Sequence, residues 1–516
     1  MWDLGRTMLA SVEREPDALA VVDGDLRLTY RQWFERMARV VGAFDRFGLR
    51  RGDRLLMVLQ NRWEMATLHW ACQLAGVVAS PVNWRVKSEE LDYYVTNAGA
   101  AAIAFEPVSE AAVAGSREAG RLRRIGVGAA AGATVAFEEL CREVAASELA
   151  RARAEDLSLM FYTSGTTGQP KGVPRTHAAE RAAALAHVAQ NCYRFGERTL
   201  GVMPLYHTMG VRSLLAMALL NGVFICVARF EPAPALELIA RERVTNLYLV
   251  PTLYHDLLAY EGFSRADVSP VRKVGFAGAP MTDALVQRVA QAFKPELFVN
   301  HYGSTEIYTF TVNQQAAEKP GSAGKAGINQ RVRVVRIGPA DPEAVVAAGQ
   351  EGEIIADLSG EESFAAYWQR PEADARAIRG NWYFTGDTGH FDADGDLFVT
   401  GRVDDMIITG GENVMPVEVE SVLSLHPAVD EVAVAGLPDE RWGQRVTAFV
   451  KPRAPVDAQA LDAHCRNSRL ANFKRPREYV FVKAVPKSPV GKILRRLLVS
   501  GDYERLAQPG NRRQSS

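Results

Sequence analysis

The chain has 516 residues, with 60 basic and 61 acidic side chains and a net charge of −1. A chain of this length exceeds a single hydrophobic core, so we expect two or more domains. The balanced charge argues against nucleic acid or an anionic membrane as a partner.

The cysteines and the first residues predict a cytoplasmic protein. The five cysteines are scattered and form no CxxC pair, which is typical of a reducing compartment and argues against a disulfide framework or a zinc site. The N-terminal stretch carries acids early and lacks a long apolar core, so we expect no signal peptide. The most apolar run, residues 213–228, is short for a membrane span and contains Asn221 and Gly222, which favours buried core.

Residues 1–105 alternate between helical and strand-like segments. A helical pattern runs through Phe47, a strand covers residues 55–59, an apolar helix reaches about Leu74, and another strand covers residues 77–82. This alternation predicts a parallel sheet with helices on its faces. Residues 107–155 are rich in Ala, Gly and Arg, and there we expect a variable surface region without chemistry.

The loop after a strand predicted over residues 157–162 is typical of phosphate binding. Its glycines allow tight backbone curvature, so that successive N–H groups can point at one anion, and its hydroxyls add donors. These loop residues are Thr163, Ser164, Gly165, Thr166, Thr167 and Gly168. Lys171 then supplies a mobile positive charge. A plain Ser/Thr/Gly-rich turn is the alternative, but the strand before and the lysine after favour a phosphate-binding loop.

Two further segments come after predicted strands. One consists of small residues, and the other contains a histidine. Ala277, Gly278 and Ala279 come after a strand over residues 273–276, and small residues there let a flat ligand approach the backbone closely. His207 lies at a strand edge in the run MPLYH. A lone histidine is more often structural than functional, so a functional role for His207 depends on the motif in which it lies.

The strand predicted over residues 298–301 leads into five residues of mixed chemistry. They are Tyr302, Gly303, Ser304, Thr305 and Glu306. An aromatic ring, two hydroxyls and a carboxylate at a strand end suit base stacking, phosphate binding and a metal contact. A generic loop is the alternative for this segment alone, but its place after the phosphate-binding loop favours function.

A hairpin-like region and a polar joint follow. Asp387 closes the hairpin and can accept hydrogen bonds from both ribose hydroxyls, as the acid of dinucleotide sites does. Asp392 and Asp394 resemble a calcium loop but lack the distal glutamate, so a solvated turn is expected. The run GRVDDMII, residues 401–408, is short, polar and exposed in character, which predicts a domain boundary. We therefore expect domains over residues 1–403 and 404–516.

The second domain alternates predicted strands with helices, which indicates a small α+β unit. It contains an aromatic and basic set, Trp442, Phe473, Arg475 and Arg477. Basic clusters are usually solvated faces, but this combination also suits a nucleotide with a 3′-phosphate. Lys492 follows on a short glycine turn near the end of the chain.

Taken in order, these motifs resemble those of the adenylate-forming enzymes: acyl-CoA synthetases, luciferases and the adenylation domains of peptide synthetases. The phosphate loop matches that family rather than the usual nucleoside-triphosphate loop, because Pro170 precedes Lys171 and Gly172 follows it. The resemblance covers almost the whole chain. It implies an α/β fold, in which a large N-terminal domain with doubly wound sheets and a β-rich subdomain precedes a small mobile α+β C-terminal domain.

The family assigns roles to matching positions. It implies an adenine contact for Tyr302, an α-phosphate contact for Thr305, magnesium binding by Glu306, and ribose or phosphate contact by Arg402. Lys492 matches the lysine of the adenylation step, and Asp404 matches the hinge. The resemblance also implies a coenzyme A site that includes Arg85, Gly410, Gly411, Trp442, Phe473, Arg475 and Arg477.

Within the family the chain most resembles bacterial aryl-CoA ligases of the 4-chlorobenzoate or benzoate type, through MPLYH, GRVDDMII with GGEN, RWGQ and FKRP. That resemblance implies an acyl pocket of His207, Thr208, Met209, Tyr248, Ala279, His301, Gly303, Tyr308 and Thr309. Its polar members favour a hydroxyl or amino substituent, or unsubstituted benzoate with ordered water. Arg212 facing inward would favour a second carboxylate; facing outward, it would indicate nothing.

The expected reaction joins an aromatic carboxylate to coenzyme A, with ATP and Mg²⁺, through an acyl-adenylate. Partners are the acid, ATP and coenzyme A, and a homodimer is left open beside a monomer. Alternatives are a synthetase for a medium-chain, alicyclic or dicarboxylic acid, or an adenylation enzyme that loads a carrier protein. A luciferase-type oxygenase and a non-catalytic nucleotide-binding regulator are weaker alternatives, since no motif is damaged.

Overall fold

The computed structural model describes residues 2–163, 169–338, 340–468, 470–487 and 493–506. The α-helices are α1 Leu4–Arg14, α2 Tyr30–Phe47, α3 Trp63–Ala75, α4 Ser88–Ala98, α5 Glu110–Gly115, α6 Phe137–Leu140, α7 His177–Gln190, α8 Thr208–Leu219, α9 Pro232–Arg241, α10 Pro251–Ala259, α11 Asp283–Phe293, α12 Pro371–Ala377, α13 Pro416–Ser424, α14 Ala458–Arg466 and α15 Arg495–Ser500. Short 3₁₀ helices cover Pro107–Ser109, Ala119–Arg121, Phe263–Arg265, Val403–Asp405 and Asn472–Lys474.

The strands as far as the middle of the chain are β1 Leu19–Asp23, β2 Leu26–Thr29, β3 Arg54–Val58, β4 Val78–Pro81, β5 Ala102–Phe105, β6 Arg123–Gly126, β7 Val135–Ala136, β8 Leu157–Thr163, β9 Lys171–Thr176, β10 Arg198–Gly201, β11 Val223–Cys226, β12 Asn246–Leu249 and β13 Lys273–Phe276. The later strands are β14 Leu297–Tyr302, β15 Thr311–Asn313, β16 Ser322–Ala326, β17 Val332–Val335, β18 Gly352–Asp357, β19 Ile378–Arg379, β20 Trp382–Phe391, β21 Leu397–Arg402, β22 Ile407–Thr409, β23 Glu412–Val414, β24 Val429–Asp439, β25 Gly443–Pro452 and β26 Glu478–Phe481.

The strands form three sheets. The first has seven strands in the order β7-β6-β5-β3-β4-β8-β9, with β3 to β8 parallel and the β8–β9 hairpin antiparallel. The second runs β17-β18-β20-β21-β16-β15-β14-β13-β12-β10-β11-β1-β2, and β19 pairs with β20. The third has five strands: β23-β22-β25-β24, with β26 beside β25. The second sheet is parallel in its middle and antiparallel in the part from β15 to β21, which makes that part β-rich.

Local sequence explains where the helices begin and end. The Thr29 hydroxyl accepts the N–H of Gln32 at 3.3 Å while the Gln32 side chain accepts the N–H of Thr29 at 3.1 Å, a capping box that starts α2. The helix ends at Gly48, whose φ of +70° is a left-handed conformation that glycine adopts without strain. Thr176 caps α7 by accepting the N–H of Ala179, as its position before the helix predicts.

Most predicted elements of the N-terminal region are confirmed. The strand over residues 273–276 is β13 to the residue, and most of residues 213–228 are buried, in α8, in β11 and in the turn between them. Two predictions were incomplete. Residues 1–105 contribute to two sheets and not to one. β1 and β2 lie at the edge of the second sheet, where Val21 pairs with Phe224 of β11. Residues 107–155 are not only surface, since β6 extends the first sheet beside β5.

The largest apolar core is formed by helices and strands of both N-terminal sheets, with Trp33, Phe44, Trp70 and Phe224 among its buried side chains. The C-terminal sheet has its own apolar clusters, which include Val434, Leu461 and Phe449. The predicted α/β class, with a large N-terminal part and a small α+β C-terminal part, is confirmed. In the part of the chain that the structure describes, no helix combines the length and apolarity that a membrane crossing requires.

Candidate active site

Four neighbouring parallel strands bring the predicted site segments to one edge of the second sheet. β10, β12, β13 and β14 lie side by side and run in the same direction. Their carboxyl ends lead towards His207, Pro251, Ala277 and Gly303. Ligands of open α/β sheets bind outside the carboxyl ends of the strands, so this edge is the candidate active site.

Glu306 joins the two N-terminal sheets at this edge. Its buried carboxylate accepts a hydrogen bond from the Tyr367 hydroxyl at 2.6 Å, and its backbone carbonyl accepts one from Arg175 of β9 at 2.9 Å. The Lys171 ammonium lies 4.0 Å from the centroid of the Tyr367 ring. Burial lowers the pKa of Lys171, an effect that the charge of Glu306 opposes. The arrangement places a carboxylate and an ammonium group around one phenol.

The predicted phosphate loop connects β8 to β9, because Thr163 pairs with Lys171 across that hairpin. Thr163 is half-buried and is the last residue of β8. The other predicted loop residues, Ser164, Gly165, Thr166, Thr167 and Gly168, lie outside the described residues. The strand that follows them, β9, contacts the Glu306 backbone through Arg175.

Tyr302, Asp387 and Arg402 form a second connected group. The Tyr302 hydroxyl donates to Asp387 at 2.7 Å, and the Arg402 guanidinium lies 3.0 Å from the same carboxylate. Because β20 and β21 are paired strands with Asp387 opposite Arg402, the hairpin itself sets this geometry. Burial raises the pKa of Tyr302, and the neighbouring Asp387 adds to that effect. The Tyr302 hydroxyl therefore stays protonated, and the residue lies at the end of β14.

The turn after β14 requires its glycine. A Cβ on Gly303 would lie 2.1 Å from the carbonyl oxygen of Tyr308, so no larger residue fits. The Ser304 hydroxyl accepts the N–H groups of Glu306 and Ile307 at 3.2 and 3.4 Å, which closes the turn. Gly278 has a φ of +82°, and Ala277 and Ala279 flank it. Thr305 is half-buried.

The predicted acyl side is buried and polar. His207 caps α8, where its Nδ1 accepts the N–H of Met209 at 3.5 Å. Burial and the charge of Arg212 lower the pKa of His207 to about 4, so the imidazole is neutral near pH 7. Thr208, Met209, Tyr248, His301, Tyr308 and Thr309 are all buried. Met209 lies near Gly278, which connects this side to the Ala277–Ala279 turn.

Arg212 faces inward. Its side chain is buried and donates to Thr309 Oγ1 at 2.7 Å, to the Tyr308 carbonyl at 3.3 Å and to the Tyr248 hydroxyl. Its guanidinium carbon lies 5.4 Å from the Tyr248 ring and 5.5 Å from the Tyr308 ring. Three predicted acyl-side residues thus contact one arginine.

The structure adds residues that the sequence analysis missed. His187 and Asn191, at the end of α7, lie beside His301 and Tyr248: the Asn191 amide nitrogen is 3.0 Å from His187 Nδ1 and 3.1 Å from His301 Nε2. Glu362 is fully buried, and burial raises its pKa to about 7 against the lowering effect of Arg212 and Arg175. Polar residues within an otherwise alanine-rich helix were the available signal for His187 and Asn191.

The predicted coenzyme A residues separate into groups. A Cβ on Gly410 would lie 2.8 Å from the Trp442 ring, and Arg477 lies 5.9 Å from the centroid of that ring. Gly411 has a φ of +85° in the same turn. Arg475 instead forms an ion pair with Asp462 and is largely buried.

Phe473 and Arg85 lie elsewhere. Phe473 is exposed, with the Lys474 ammonium 5.7 Å from its ring centroid. Arg85 is also exposed and stacks 3.6 Å from the ring centroid of Trp84, close to Tyr206. Trp442, Gly410 and Arg477 are therefore the part of the predicted set that meets in one place.

The predicted hinge lies in a short 3₁₀ turn. Asp404 is exposed in Val403–Asp405, and the following Asp405 pairs with Arg495 at 3.3 Å. Contacts from the N-terminal part reach the C-terminal part at Met415, whose sulfur lies 3.6 Å from the Thr388 hydroxyl. Lys492 lies outside the described residues, and its neighbours Lys487 and Ile493 form an isolated bridge.

The acidic turn after β20 is occupied by a lysine. The Lys319 ammonium lies 2.6 Å from Asp392, 2.9 Å from Asp394 and 2.5 Å from Asp396. These three carboxylates lie close enough together to hold a metal ion, but they already surround a cation. The interpretation of this segment as a solvated turn is retained.

Family models match most of the chain. The model of the AMP-binding enzyme matches residues 9–368, and the AMP-binding enzyme C-terminal domain matches residues 418–492. A 4-chlorobenzoate–CoA ligase of Arthrobacter sp. is 35% identical over 502 residues, which cover 95% of this chain and 93% of the relative. The long-chain-fatty-acid–CoA ligase FadD13 of Mycobacterium tuberculosis is 32% identical over 499 residues, 95% of this chain and 96% of the relative.

A solved structure agrees with these matches. The anthranilate CoA ligase AuaEII, in complex with anthranoyl-AMP, superposes with a TM-score of 0.88 at 28% identity, and the alignment covers 97% of each chain. Sequence and structure therefore point to the same family over nearly the full length.

Proposed function

The chain belongs to the AMP-binding enzymes and is an acid–thiol ligase that adenylates a carboxylic acid with ATP, and from this premise we propose that the acid is a small aromatic carboxylate. Its substrates are ATP, coenzyme A and the acid. The products are then the aryl-CoA thioester, AMP and pyrophosphate. Membership of the family leaves open the class of acid and the residues that bind it.

Aromatic surroundings on the acyl side support this class of acid. The rings of His187, Tyr248 and His301 lie 4.6 to 5.5 Å apart, and this ring cluster is the observation on which the proposal rests. Aromatic side chains commonly line ligand pockets, and the ring of an aromatic acid can pack against such a cluster. Two of the three relatives named above act, by their names, on 4-chlorobenzoate and anthranilate.

Tyr302, Asp387 and Arg402 hold the nucleoside in this proposal. Asp387 accepts the ribose hydroxyls, Arg402 orients Asp387, and the Tyr302 ring lies against adenine. Ala277, Gly278 and Ala279 leave room for the flat base. The support is geometric, since Tyr302 and Arg402 already share the Asp387 carboxylate.

Lys171, Thr305 and Glu306 face the phosphates. A single carboxylate such as Glu306 fits Mg²⁺, which is usually bound by one or two carboxylates together with substrate phosphates. When bound, Mg²⁺ would neutralise charge on the phosphates. Tyr367 orients the Glu306 carboxylate through its 2.6 Å hydrogen bond. A carboxylate oxygen of the acid attacks the α-phosphorus, the bond between that phosphorus and the oxygen that bridges to the β-phosphate breaks, and pyrophosphate leaves.

The two half-reactions require different surroundings. Lys492 meets the charge that develops between carboxylate and phosphorus in adenylation. A rotation about Asp404 then replaces Lys492 by the face that carries Gly410, Trp442 and Arg477, where coenzyme A enters. The domain limits of 1–403 and 404–516 follow from this hinge. Enclosure between the steps protects the acyl-adenylate from water.

An initial-rate screen tests the class of acid. Pyrophosphate release and thioester formation are measured with benzoate, hydroxy-, amino- and chlorobenzoates, cyclohexanecarboxylate, octanoate and malonate. We expect an aromatic acid to exceed octanoate and malonate at least tenfold in kcat/KM. A tenfold advantage of octanoate would instead favour a fatty acid, the substrate class in the name of FadD13.

Location and assembly complete the proposal. All five cysteines are free, in keeping with a cytoplasmic enzyme. Fractionation of the source cells tests that location. The homodimer stays a prediction, which light scattering of the purified chain at several concentrations tests.

A further inference from the structure

Arg212 is a buried charge whose partners are neutral. Its exposed fraction is 2%, and it donates to two hydroxyls and a backbone carbonyl. Within the residues that the structure describes it forms no ion pair. An arginine stays charged in proteins, and a buried charge that is not compensated by an opposite charge is costly.

Arg175 shows how the same fold compensates a buried arginine. It lies on the other side of Tyr308, 4.1 Å from the ring centroid, and pairs with Glu180 at 2.8 Å. Both side chains of that pair are fully buried. The difference between Arg175 and Arg212 is therefore the missing carboxylate and not the depth of burial.

Glu362 does not supply that carboxylate. Neither of its oxygens has a hydrogen-bond partner among the described residues, so it does not bind Arg212 directly. Its pKa of about 7, which burial raises, leaves it protonated in a large fraction of molecules at neutral pH. Arg212 thus keeps an excess of positive charge around Tyr248.

The groups near Arg212 are donors. Burial lowers the pKa values of His187 and His301 well below the usual range, and the charge of Arg212 adds to this, so both imidazoles are neutral. The Asn191 amide nitrogen has two hydrogens for three nearby acceptors, which are the His187 carbonyl at 2.7 Å, His187 Nδ1 at 3.0 Å and His301 Nε2 at 3.1 Å, so it donates to at least one of the two rings. A neutral imidazole that accepts at one nitrogen carries its hydrogen on the other. Both of those other nitrogens lack a partner among the described residues.

Two further donors complete the set. The Nε of Arg212 has no acceptor within the described part of the chain. The Tyr248 hydroxyl accepts from Arg212, which leaves its own hydrogen to donate. At least three donors and the positive charge of Arg212 therefore lie around the Tyr248 ring, and a carboxylate, with its several lone pairs and negative charge, matches them.

We propose that the acid carries a second carboxylate on its ring, and that Arg212 binds this group while the first carboxylate is adenylated. The inference rests on the proposed function, because it places the second group at the far end of the same acyl site. An amino substituent would bring donors against donors. Chlorine would leave the same donors unpaired, and buried donors without acceptors are costly.

The test compares kcat/KM for isophthalate and terephthalate with that for benzoate, 3-hydroxybenzoate and glutarate, in the full-length enzyme. We expect one benzene dicarboxylate to exceed benzoate at least tenfold. Arg212→Met should reduce that ratio to about one, mainly by raising KM for the dicarboxylate. Arg62→Met, which removes an arginine that pairs with Glu64 and Glu106 outside the active site, is the control and should leave the ratio unchanged even if it lowers stability.

The outcomes separate the two proposals. A wild-type enzyme that prefers benzoate or a hydroxybenzoate to both dicarboxylates overturns the role of Arg212 but leaves the aromatic proposal intact. Activity with glutarate and with no aromatic acid overturns the aromatic proposal itself. Should Arg212→Met fail to fold, the wild-type ratio still decides, and Arg212→Gln replaces it. An unchanged ratio in a folded Arg212 variant contradicts the inference.

Discussion

The nucleotide side and the acyl side of this site handle charge in opposite ways. On the nucleotide side Asp387 meets Arg402, and Glu306 meets the Tyr367 hydroxyl, so carboxylates are oriented by partners. On the acyl side three nitrogens have no hydrogen-bond partner among the described residues: Arg212 Nε, His187 Nε2 and His301 Nδ1. Side chains that already have polar partners can bind a ligand that the whole family shares. Side chains that lack such partners indicate which acid this particular enzyme selects.

The largest expected effect removes the charge that acts in adenylation, where the acid meets the nucleotide. Lys492→Ala should lower adenylate formation by about 10²–10³-fold or more, the order found when one electrostatic donor to a transition state is lost. Thioester formation from supplied acyl-adenylate should be largely spared. Single-turnover assays measure the two steps separately, with Lys483→Ala, an exposed lysine that pairs with Glu504, as the control. Equal damage to both steps would refute the assignment.

Restricting the backbone at the predicted hinge should impair one half-reaction and spare the other. It changes no residue of the nucleotide side or of the acyl side. Asp404→Pro restricts φ in the Val403–Asp405 turn, so the C-terminal part should be held in one state. We expect pyrophosphate release to continue and coenzyme A transfer to fall by about 10-fold or more, as for other conformational steps that limit turnover. Asp404→Ala is the control that keeps backbone freedom. Normal thioester production by Asp404→Pro would remove the hinge assignment.

A conservative change on the paired side should affect one substrate. Asp387→Asn keeps the shape but removes the charge that Arg402 and the ribose share. KM for ATP should rise by about tenfold, equivalent to about 1.4 kcal/mol, with the order of preference among acids unchanged. The control is Asp394→Asn, an exposed carboxylate of the Lys319 turn. A changed order among acids would show that the two sides are not separate.

The sequence predicted the paired side better than the unpaired side. Tyr302 and Glu306 belong to one short motif that begins at the end of β14, and Asp387 belongs to a short motif within β20, so that in each case one stretch of chain specifies part of the site. His187, Asn191, Arg212 and Glu362 come from three separate segments, so their meeting depends on how α7 and α8 pack over the sheet. Arg212 could be noticed in the sequence, but its direction could not. Tyr367 was missed because nothing in its local sequence indicates that it reaches Glu306.

The last expected effect is on the stability of the acyl side and not on catalysis. The pKa of Glu362 is raised from 4.5 to about 7, so its contribution to folding is complete below pH 4.5 and is lost as the pH rises through 7. Glu362→Gln cannot ionise, and above pH 8 it should be more stable than the parent by up to about 3 kcal/mol, at about 1.4 kcal/mol per pKa unit.

Thermal unfolding from pH 4 to pH 9 measures this difference. The gain in Tm should appear only on the alkaline side, and Glu361→Gln, an exposed neighbour, should show none. A gain that is constant across this range would mean that Glu362 does not titrate near neutrality in the folded protein.

The division between the two sides is tested most directly by one crossed measurement. KM for ATP and the ratio of kcat/KM for a benzene dicarboxylate to that for benzoate are determined in parallel for the parent, Asp387→Asn and Arg212→Met. Asp387→Asn should change only the first quantity, and Arg212→Met only the second. Two variants that shift both quantities together would contradict an active site with separate nucleotide and acid recognition.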